Sequence, residues 1–213
     1  YGDSIFILTG TSGGSHEAKG VYTSNDGSTW TGRFLPWDNS PWGVTYGNGI
    51  YIVVGAGGKI ATSENGMSWA SRDLNSSLQT PSGIGLYDVA YGKGLYIVVG
   101  DYDSIHTSSN GIDWSLRYNN GVHGNDTLNA VTYGNGRFIA VGNDRTFVTS
   151  TDGTNWSLTC TDCTQVDYHG ITYGNGLFVA IGSSGTILTS ADGTSWTSRT
   201  SGTTSDLKGI AAY

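Results

Sequence analysis

The chain has 213 residues, among them 34 glycines and only 3 prolines, with 13% charged and 12% aromatic residues. Few charges and many aromatic residues exclude an intrinsically disordered chain, which combines the opposite properties. The net charge of −7 argues against nucleic acid and anionic membrane surfaces as partners, because both attract clustered Lys and Arg. No apolar run approaches the roughly 20 residues that cross a bilayer, so we expect no membrane insertion.

One sequence pattern recurs five times along the chain, in repeats that begin near residues 1, 46, 91, 133 and 173. In the last repeat, Tyr173-Gly-Asn-Gly supplies a tight turn, and the apolar run from Leu177 to Ile181 has the length of a strand. Each repeat also carries a Ser-x-Asp/Asn-Gly-x-x-Trp box. The box tryptophans are Trp30, Trp69, Trp114, Trp156 and Trp196. A period of about 40–45 residues that holds four short strands is typical of a β-propeller blade.

The strands of a repeat can be placed from its turns. In the second repeat we predict strand B at Ile50–Val54, strand C at Lys59–Ser63 and strand D from Met67 to about Arg72. Strand A precedes the Tyr-Gly turn, as in Leu86–Tyr91. Strand B is apolar at successive positions, which indicates that both of its faces are buried.

Strand A is missing before the first repeat, and its copy stands at the other end of the chain as Leu207–Tyr213. We therefore predict a single all-β domain over residues 1–213. It is a five-bladed β-propeller of four-stranded antiparallel blades. The C-terminal strand would pair beside Ile5–Leu8, complete the N-terminal blade and leave no open sheet edge there.

The box has a local physical logic. The Asp or Asn side chain can accept backbone N–H bonds across the turn, glycine takes a positive φ, and Trp covers the blade edge. The pattern resembles the Asp-box (BNR) repeat of sialidase-like and photosynthetic-assembly-factor-like propellers, and more closely the Tyr-Gly-x-Gly-x-Phe-Val-Ala-Val-Gly repeats of secreted bacterial propellers. It departs from the usual box because Asp26 and Gly27 are adjacent. The resemblance implies that the boxes lie opposite the active site of the family's enzymes.

Each predicted blade has two ends. The A–B turns and boxes form one end, here called the box end, which is nearly constant among repeats. The B–C and D–A loops form the other, the loop end, whose length and chemistry vary as binding loops usually do. The longest loops are Thr11–Lys19, Thr31–Pro41, Asp73–Gly85 and Tyr118–Thr127.

Aromatic and polar side chains near the start of strand A would suit stacking on a sugar and hydrogen bonding to its hydroxyls. The alternative is that the aromatic residues only fill the centre of the propeller. The candidate ligand-binding residues are Trp37, Trp42, Tyr87, Asp88, Asn129, His169 and Lys208.

An enzymatic reading finds less support in the sequence. A glycosidase needs two carboxyl groups about 5–10 Å apart, one of them held protonated. Glu17 and Glu64 are the only glutamates, and no motif marks out a pair of aspartates at the loop end. The recurring arginines after the box tryptophans indicate a blade-edge role rather than a substrate-binding cluster. These arginines are Arg33, Arg72, Arg117 and Arg199.

We therefore predict a non-catalytic binding or assembly module for a glycan or another surface protein, with no catalytic residues and no cofactor. The alternative is a glycan-cleaving hydrolase of the sialidase or glycosidase propeller type.

Cys160 and Cys163 lie in a D–A loop, where a local disulfide is the preferred interpretation. A redox motif would need a helix to lower a thiol pKa, and zinc would need further ligands such as His123 or His169. Two nearby carboxylates, Asp101 and Asp103, are too few for calcium, so no metal is predicted. Asn75, Asn125 and Asn155 begin glycosylation sequons. The low charge, the acidic balance and the paired cysteines predict an extracellular or cell-surface protein.

Overall fold

The computed structural model describes residues 5–10, 20–72, 74, 83–118, 127–144, 146–158 and 166–212. These residues form five antiparallel sheets, four with four strands and one with three, consistent with a five-bladed β-propeller. The strands are β1 (Phe6–Thr9), β2 (Val21–Ser24) and β3 (Thr31–Arg33) in the first sheet; β4 (Pro41–Gly47), β5 (Ile50–Gly55), β6 (Lys59–Ser63) and β7 (Ala70–Ser71) in the second; β8 (Leu86–Gly92), β9 (Leu95–Gly100), β10 (Ile105–Ser108) and β11 (Ser115–Tyr118) in the third; β12 (Leu128–Gly134), β13 (Arg137–Gly142), β14 (Phe147–Ser150) and β15 (Ser157–Leu158) in the fourth; and β16 (Tyr168–Gly174), β17 (Leu177–Gly182), β18 (Ile187–Ser190) and β19 (Thr197–Arg199) in the fifth.

The strand order in each sheet follows the chain, as expected for hairpins joined by short turns. In the second repeat, the predicted strand C has the bounds of β6, and the predicted strand B ends one residue before β5 does. The predicted strand D is shortened to the two residues of β7, because the box turn occupies the preceding residues. Strand β5 is buried at every position after Ile50, which confirms that both of its faces are covered.

The chain divides into two compact units, residues 1–98 with 108–115 and residues 99–107 with 116–213, and strands of the third sheet belong to both. The prediction of a single domain over residues 1–213 stays a prediction. Among the described residues, no helix has the length and hydrophobicity needed to cross a membrane.

In the first unit, β8 packs closely across β4. A Cβ on Gly47 would lie 2.1 Å from Cγ of Tyr91, so this position admits only glycine without rearrangement. The buried hydroxyl of Tyr96 donates to the Gly47 carbonyl oxygen. Burial, together with Tyr91 and Tyr46, raises the pKa of Tyr96 to about 12, so this donor stays protonated. The Tyr-Gly turn is therefore a packing element as well as a turn.

The second unit repeats this arrangement. A Cβ on Gly134 would lie 2.1 Å from Cγ of Tyr173, because β16 packs across β12. Phe147 stands at the centre of this core, with ring centroids 4.6 Å from Tyr168 and 4.8 Å from Trp196. Its side chain is 2% exposed, so the two sheets share one apolar interior.

The C-terminal segment differs from the predicted closing strand. Residues 207–212 have no strand assignment, and the first sheet has three strands among the described residues. The segment instead packs across β16, where Ala212 lies against Gly174 much as Tyr173 lies against Gly134. The Leu207 N–H donates to the Gly182 carbonyl oxygen at 3.0 Å. The segment therefore takes the place of a following first strand relative to the fifth sheet, but its pairing beside Ile5–Leu8 is not shown.

Candidate functional site

The box end is built from a hydrogen-bonded turn that repeats in every sheet. In the first sheet, Asp26 Oδ1 accepts the backbone N–H groups of Ser28 at 2.8 Å and Thr29 at 2.7 Å, and the Ser24 hydroxyl at 2.9 Å. Asn65 and Asn110 accept the corresponding backbone bonds in the second and third sheets. The predicted turn-forming role of the box is confirmed.

These hydrogen bonds favour the charged form of the box aspartates. The backbone N–H groups of Thr29 and Ser28 lower the pKa of Asp26 to about 2. The same kind of bonding, led by the N–H groups of Asn155 and Ser195, holds the pKa of Asp152 and of Asp192 well below its usual range. These carboxylates are therefore ionised near neutral pH and are unsuited to the protonated role that a glycosidase requires.

The recurring arginines also have local roles. The Nε atoms of Arg33, Arg117 and Arg199 each donate to a threonine hydroxyl on the adjacent strand of the same sheet, all at 2.9 Å. In the fourth sheet, which lacks this arginine, Arg137 Nη1 reaches Thr149 at 3.5 Å instead. These three arginines therefore make the contact at the sheet edge that the sequence predicted.

At the loop end, a β-bulge interrupts the first strand of three sheets. The pairing register shifts between Pro41 and Gly43, between Leu128 and Ala130, and between Tyr168 and Gly170. The residues at these bulges are Trp42, Asn129 and His169, which are three of the predicted site residues. A bulge leaves one residue outside the ladder and redirects its side chain, and such bulges are over-represented beside binding sites. The sequence alone did not indicate them.

In the first unit, the structure brings Trp42 and Tyr87 together. Their ring centroids lie 4.9 Å apart and their planes differ by 5°, so the rings are stacked. Gly85 lies beside both rings, where a Cβ would be 3.0 Å from Trp42 and 3.1 Å from Tyr87. Trp42 keeps 39% of its surface exposed. The pair is a flat aromatic surface that remains accessible at one end of the sheet.

Two other predicted residues of this unit are placed differently. Asp88 follows Tyr87 and its Oδ1 accepts the Val89 N–H at 2.8 Å. Trp37 is only 9% exposed and belongs to the core cluster with Val21 and Val53, so its indole leaves little surface for a ligand. Its apolar neighbours could not be foreseen, because the loop that carries Trp37 has no periodic pattern.

In the second unit, His169 and Lys208 meet at the loop end. Lys208 Nζ lies 3.1 Å from His169 Nε2 and 3.0 Å from Asp206 Oδ2. Burial and the Lys208 charge lower the pKa of His169, so the imidazole is neutral near pH 7. Lys208 and the Ser184 N–H lower the pKa of Asp206. Asp206 is therefore ionised and is unsuited to the protonated role that a glycosidase requires.

Asn129, the third predicted residue of this unit, is engaged in structural bonds. Its Nδ2 donates to Asn143 Oδ1 and to the Tyr168 carbonyl oxygen, both at 2.8 Å. This amide therefore links β12 to β16 and fixes the bulge on β12.

Sequence reasoning missed two polar residues. Asp206 was not predicted, because it lies in a Ser/Thr-rich segment in which no motif marks it. His106 is fully buried on β10, and neither ring nitrogen has a hydrogen-bond partner among the described residues. The equivalent residues of the other sheets are Tyr22, Ala61, Val148 and Leu188. Burial lowers the pKa of His106 to about 4. The sequence does contain one indication of His106, because the equivalent position is apolar in most of the other repeats.

Several predicted features fall outside the described residues. These are Cys160 and Cys163 with their disulfide, and the sequon residues Asn75 and Asn125. Asn155 is exposed, and its Nδ2 donates to Asp152 Oδ2 at 2.8 Å. Among the described residues, no group of three or more His, Cys, Asp or Glu side chains is arranged to hold a metal ion. The extracellular location and the glycosylation stay predictions.

Five antiparallel sheets of this kind define a propeller-type repeat protein, and comparison with known proteins supports that class. No family model matches the sequence, and no curated protein sequence matches it. Among solved structures, a catalytically inactive histidine-to-alanine variant of virginiamycin B lyase from Staphylococcus aureus, with quinupristin, gives a TM-score of 0.75 at 16% identity over 90% of this chain. YCF48 bound to a D1 peptide gives 0.64 at 19% identity over 92%. YCF48 from Cyanidioschyzon merolae gives 0.60 at 18% identity over 78%.

This chain spans 67%, 63% and 57% of the length of those three structures, respectively. The similarity therefore concerns the fold. The predicted membership of the sialidase-like or BNR-type Asp-box family is wrong, because no family model matches and the similar structures are virginiamycin B lyase and YCF48. The physical reason is that the box is a local turn, which can end any antiparallel hairpin and does not mark a lineage. These structures also give no support to a glycan ligand.

Proposed function

We propose that this protein binds an extended, basic peptide segment of another protein at the stacked Trp42–Tyr87 surface. The observation that carries the proposal is the parallel stack of the two rings beside a bulge, with Trp42 39% exposed. A YCF48 structure of similar fold is bound to a peptide, which makes this mode of use reasonable for the fold.

The chemistry of the surface selects the peptide. An arginine guanidinium is planar and stacks on the face of a tryptophan or tyrosine, an interaction of about 0.5–2 kcal/mol. The chain carries a net charge of −7, so a basic segment is attracted over a distance before contact is made. We therefore infer that an arginine side chain of the partner rests on the indole of Trp42.

The test uses the full chain and extended peptides that differ only in whether an arginine is replaced by glutamine. We expect Trp42→Ala and Tyr87→Ala each to weaken binding of the arginine peptide by on the order of tenfold, measured by calorimetry. The matched control is Trp30→Ala, because Trp30 is a box-end tryptophan with a similar exposure of 37%. Equal affinities for the two peptides, or an equal effect of the Trp30 variant, would show that the proposal is wrong.

A second candidate function is a lyase-type activity at His169. Its imidazole is neutral near pH 7 because burial and Lys208 lower its pKa, as a general base requires. Two of the similar structures are virginiamycin B lyase and streptogramin B lyase. Quinupristin, present in one such structure, is the first substrate to test. Turnover that is abolished in His169→Ala and retained in Trp42→Ala would favour this candidate, and absence of turnover would remove it.

We also propose that residues 207–213 complete the first sheet beside β1. The proposal is supported by the three strands that the described residues form in the first sheet and by the packing of residues 207–212 across β16 in the manner of a first strand. Deletion of residues 207–213 should then lower the melting temperature sharply, whereas Lys208→Ala, which removes only the contacts with His169 and Asp206, should not. An unchanged melting curve after the deletion would contradict closure.

A further inference from the structure

Five of the six Asn-Gly pairs in the sequence lie in two structural settings, and the sixth, Asn120-Gly121, is outside the described residues. Three copies lie in the tight turns at the end of the first strands, at Asn48, Asn135 and Asn175. Two others belong to boxes, at Asn65 and Asn110. Asn-Gly is chemically reactive because glycine offers no side chain to hinder attack of its own backbone nitrogen on the preceding side-chain amide. The two settings differ in whether that nitrogen is available.

In the tight turns, both residues of each Asn-Gly pair are exposed. The asparagines have φ angles of 45°, 45° and 50°, in the left-handed region that a two-residue hairpin turn requires. In such a turn the N–H of the second central residue points to solvent rather than into the strand ladder. The glycine nitrogen therefore has access to solvent and to the side chain before it.

In the boxes, the same pair is held in place. Gly111 is buried, and its N–H donates to the Ser108 hydroxyl at 2.9 Å. The Asn110 Oδ1 accepts the N–H groups of Ile112 and Asp113, both at 2.9 Å, which fixes the side-chain amide. Gly66 is likewise buried, and Asn65 Oδ1 accepts two backbone N–H groups. Reaction at a box asparagine therefore requires the turn to open first.

From this contrast we propose that Asn48, Asn135 and Asn175 are sites of spontaneous deamidation, whereas Asn65 and Asn110 are protected by the box. The backbone nitrogen of the glycine attacks Cγ of the asparagine and loses its proton, and the Cγ–Nδ2 bond breaks to release ammonia. Water then opens the resulting five-membered imide at one of its two carbonyl groups and gives aspartate or isoaspartate. Each event replaces a neutral side chain at the box end by a carboxylate.

The three turn sites are not equivalent. Asn135 Nδ2 donates to the Ala191 carbonyl oxygen at 3.1 Å, a bond that must break before Cγ can be attacked. We therefore expect Asn48 and Asn175 to react first and Asn135 more slowly. The corresponding turn of the third sheet carries Lys93 with a φ of 51°, so this turn is a natural unreactive counterpart.

The experiment is incubation of the full chain in warm, mildly alkaline buffer, followed by peptide mapping with mass spectrometry that separates aspartate from isoaspartate. We expect the turn sites to react about tenfold or more faster than the box sites, because a box must break at least one hydrogen bond before attack. In denaturant, where both settings are lost, the rates at all five sites should converge. Equal rates in the folded protein, or a contrast that persists in denaturant, would overturn the proposal.

Two variants make the test specific. Ser108→Ala removes the acceptor of the Gly111 N–H and should accelerate reaction at Asn110 without changing Asn48. Asn48→Lys, which copies the residue at Lys93, should abolish reaction at that turn and leave Asn175 unchanged. If Ser108→Ala destabilises the whole chain, the deamidation rates at Asn48 and Asn65 will rise as well. The test is then the comparison of turn and box sites between the folded and the denatured protein.

Discussion

The box end and the loop end of the sheets use hydrogen bonds differently. At the box end, the side chain at Asp26, Asn65, Asn110, Asp152 or Asp192 accepts two backbone N–H groups of its own turn. At the loop end, the corresponding bonds join neighbouring segments. Asp144 N–H donates to Asp167 Oδ1, and Ser184 N–H donates to Asp206 Oδ1, both at 3.1 Å.

The difference explains which end is free to change. The hydrogen bonds of a box join residues within one stretch of seven. Its sequence is therefore nearly the same in distant repeats, as in Ser24–Trp30 and Ser190–Trp196. In the second to fifth sheets, the second residue of the first strand lies outside such a turn, and it is Trp42, Tyr87, Asn129 or His169. The loop end can therefore vary more than the box end without loss of the sheet, as recognition of an asymmetric partner would require.

The largest expected effect concerns the packing behind the box-end turns. Gly47→Ala would place Cβ 2.1 Å from Cγ of Tyr91, and we expect the free energy of unfolding to fall by about 3 kcal/mol or more. Gly49→Ala is the matched control. It has open space but a φ of +79°, so it should cost about 1–2 kcal/mol. Both values come from denaturant titration, and equal losses would show that packing against Tyr91 is unimportant.

The next effect concerns His106, a polar residue at a position that is mostly apolar in the other sheets. Its pKa falls from 6.5 to about 4 in the folded state, so the unfolded chain binds the proton first as the pH decreases. The buried His106 therefore lowers the free energy of unfolding in acid. This loss is absent above pH 6.5, grows as the pH falls from 6.5 to about 4, and then levels at about 3 kcal/mol.

His106→Leu, which copies the residue at Leu188, should remove this slope and raise the stability at pH 7, because no unpaired ring nitrogen remains buried. The measurement is the free energy of unfolding between pH 7 and pH 4 for both chains. A slope of the same size in the variant would assign it to another group.

Much of the fold could be predicted because repetition and local turn chemistry define it. Strand β6 has the predicted bounds, and strand β5 ends one residue beyond them. The closing strand could not be established, because its pairing depends on contacts between distant parts of the chain rather than on its own sequence.

Prediction of the candidate site was less complete. The positions of Trp42, Tyr87, Asn129 and His169 followed from alignment of the repeats. The bulges at Trp42, Asn129 and His169, the Trp42–Tyr87 stack and the His169–Lys208 contact did not, because each depends on the register of two strands. Trp37 was chosen for its residue type, and tertiary packing buries it.

A smaller effect is expected for two exposed aspartates, Asp192 at the box end and Asp206 at the loop end. Asp192 Oδ1 accepts the N–H groups of Thr194 and Ser195, both at 2.8 Å, so Asp192→Ala should lower the melting temperature by a few degrees. Asp192→Asn should be nearly neutral, because Asn65 and Asn110 serve the same turn elsewhere. Asp206→Ala removes an exposed ion pair with Lys208 and the acceptor of one backbone N–H, that of Ser184, rather than of two, and should change the melting temperature less.

The pH dependence of the box follows from the lowered pKa of its aspartates. Their stabilising effect is present above pH 3.8 and is lost as the pH falls through the folded-state value, which is about 2 for Asp26. Asp192→Asn should therefore reduce the loss of stability in this acidic window and leave the His106 window unchanged. A variant that alters both windows would contradict the local character of the box.

The smallest effect tests whether the repeated turns are interchangeable. Lys93 has a φ of 51° in the turn where the other sheets carry Asn48, Asn135 and Asn175. Asparagine tolerates this conformation better than lysine, because its short polar side chain can bond locally. Lys93→Asn should therefore raise the free energy of unfolding by about 0.5 kcal/mol, and Asn48→Lys should lower it by a similar amount. If the two denaturant titrations give changes of opposite sign in the free energy of unfolding, the same preference for asparagine holds in both turns. A loss of stability in Lys93→Asn would instead mean that the interaction of Lys93 in the third sheet outweighs the backbone preference for asparagine. Lys93→Asn would also create a new Asn-Gly pair, so the gain in stability would come with a fourth reactive turn.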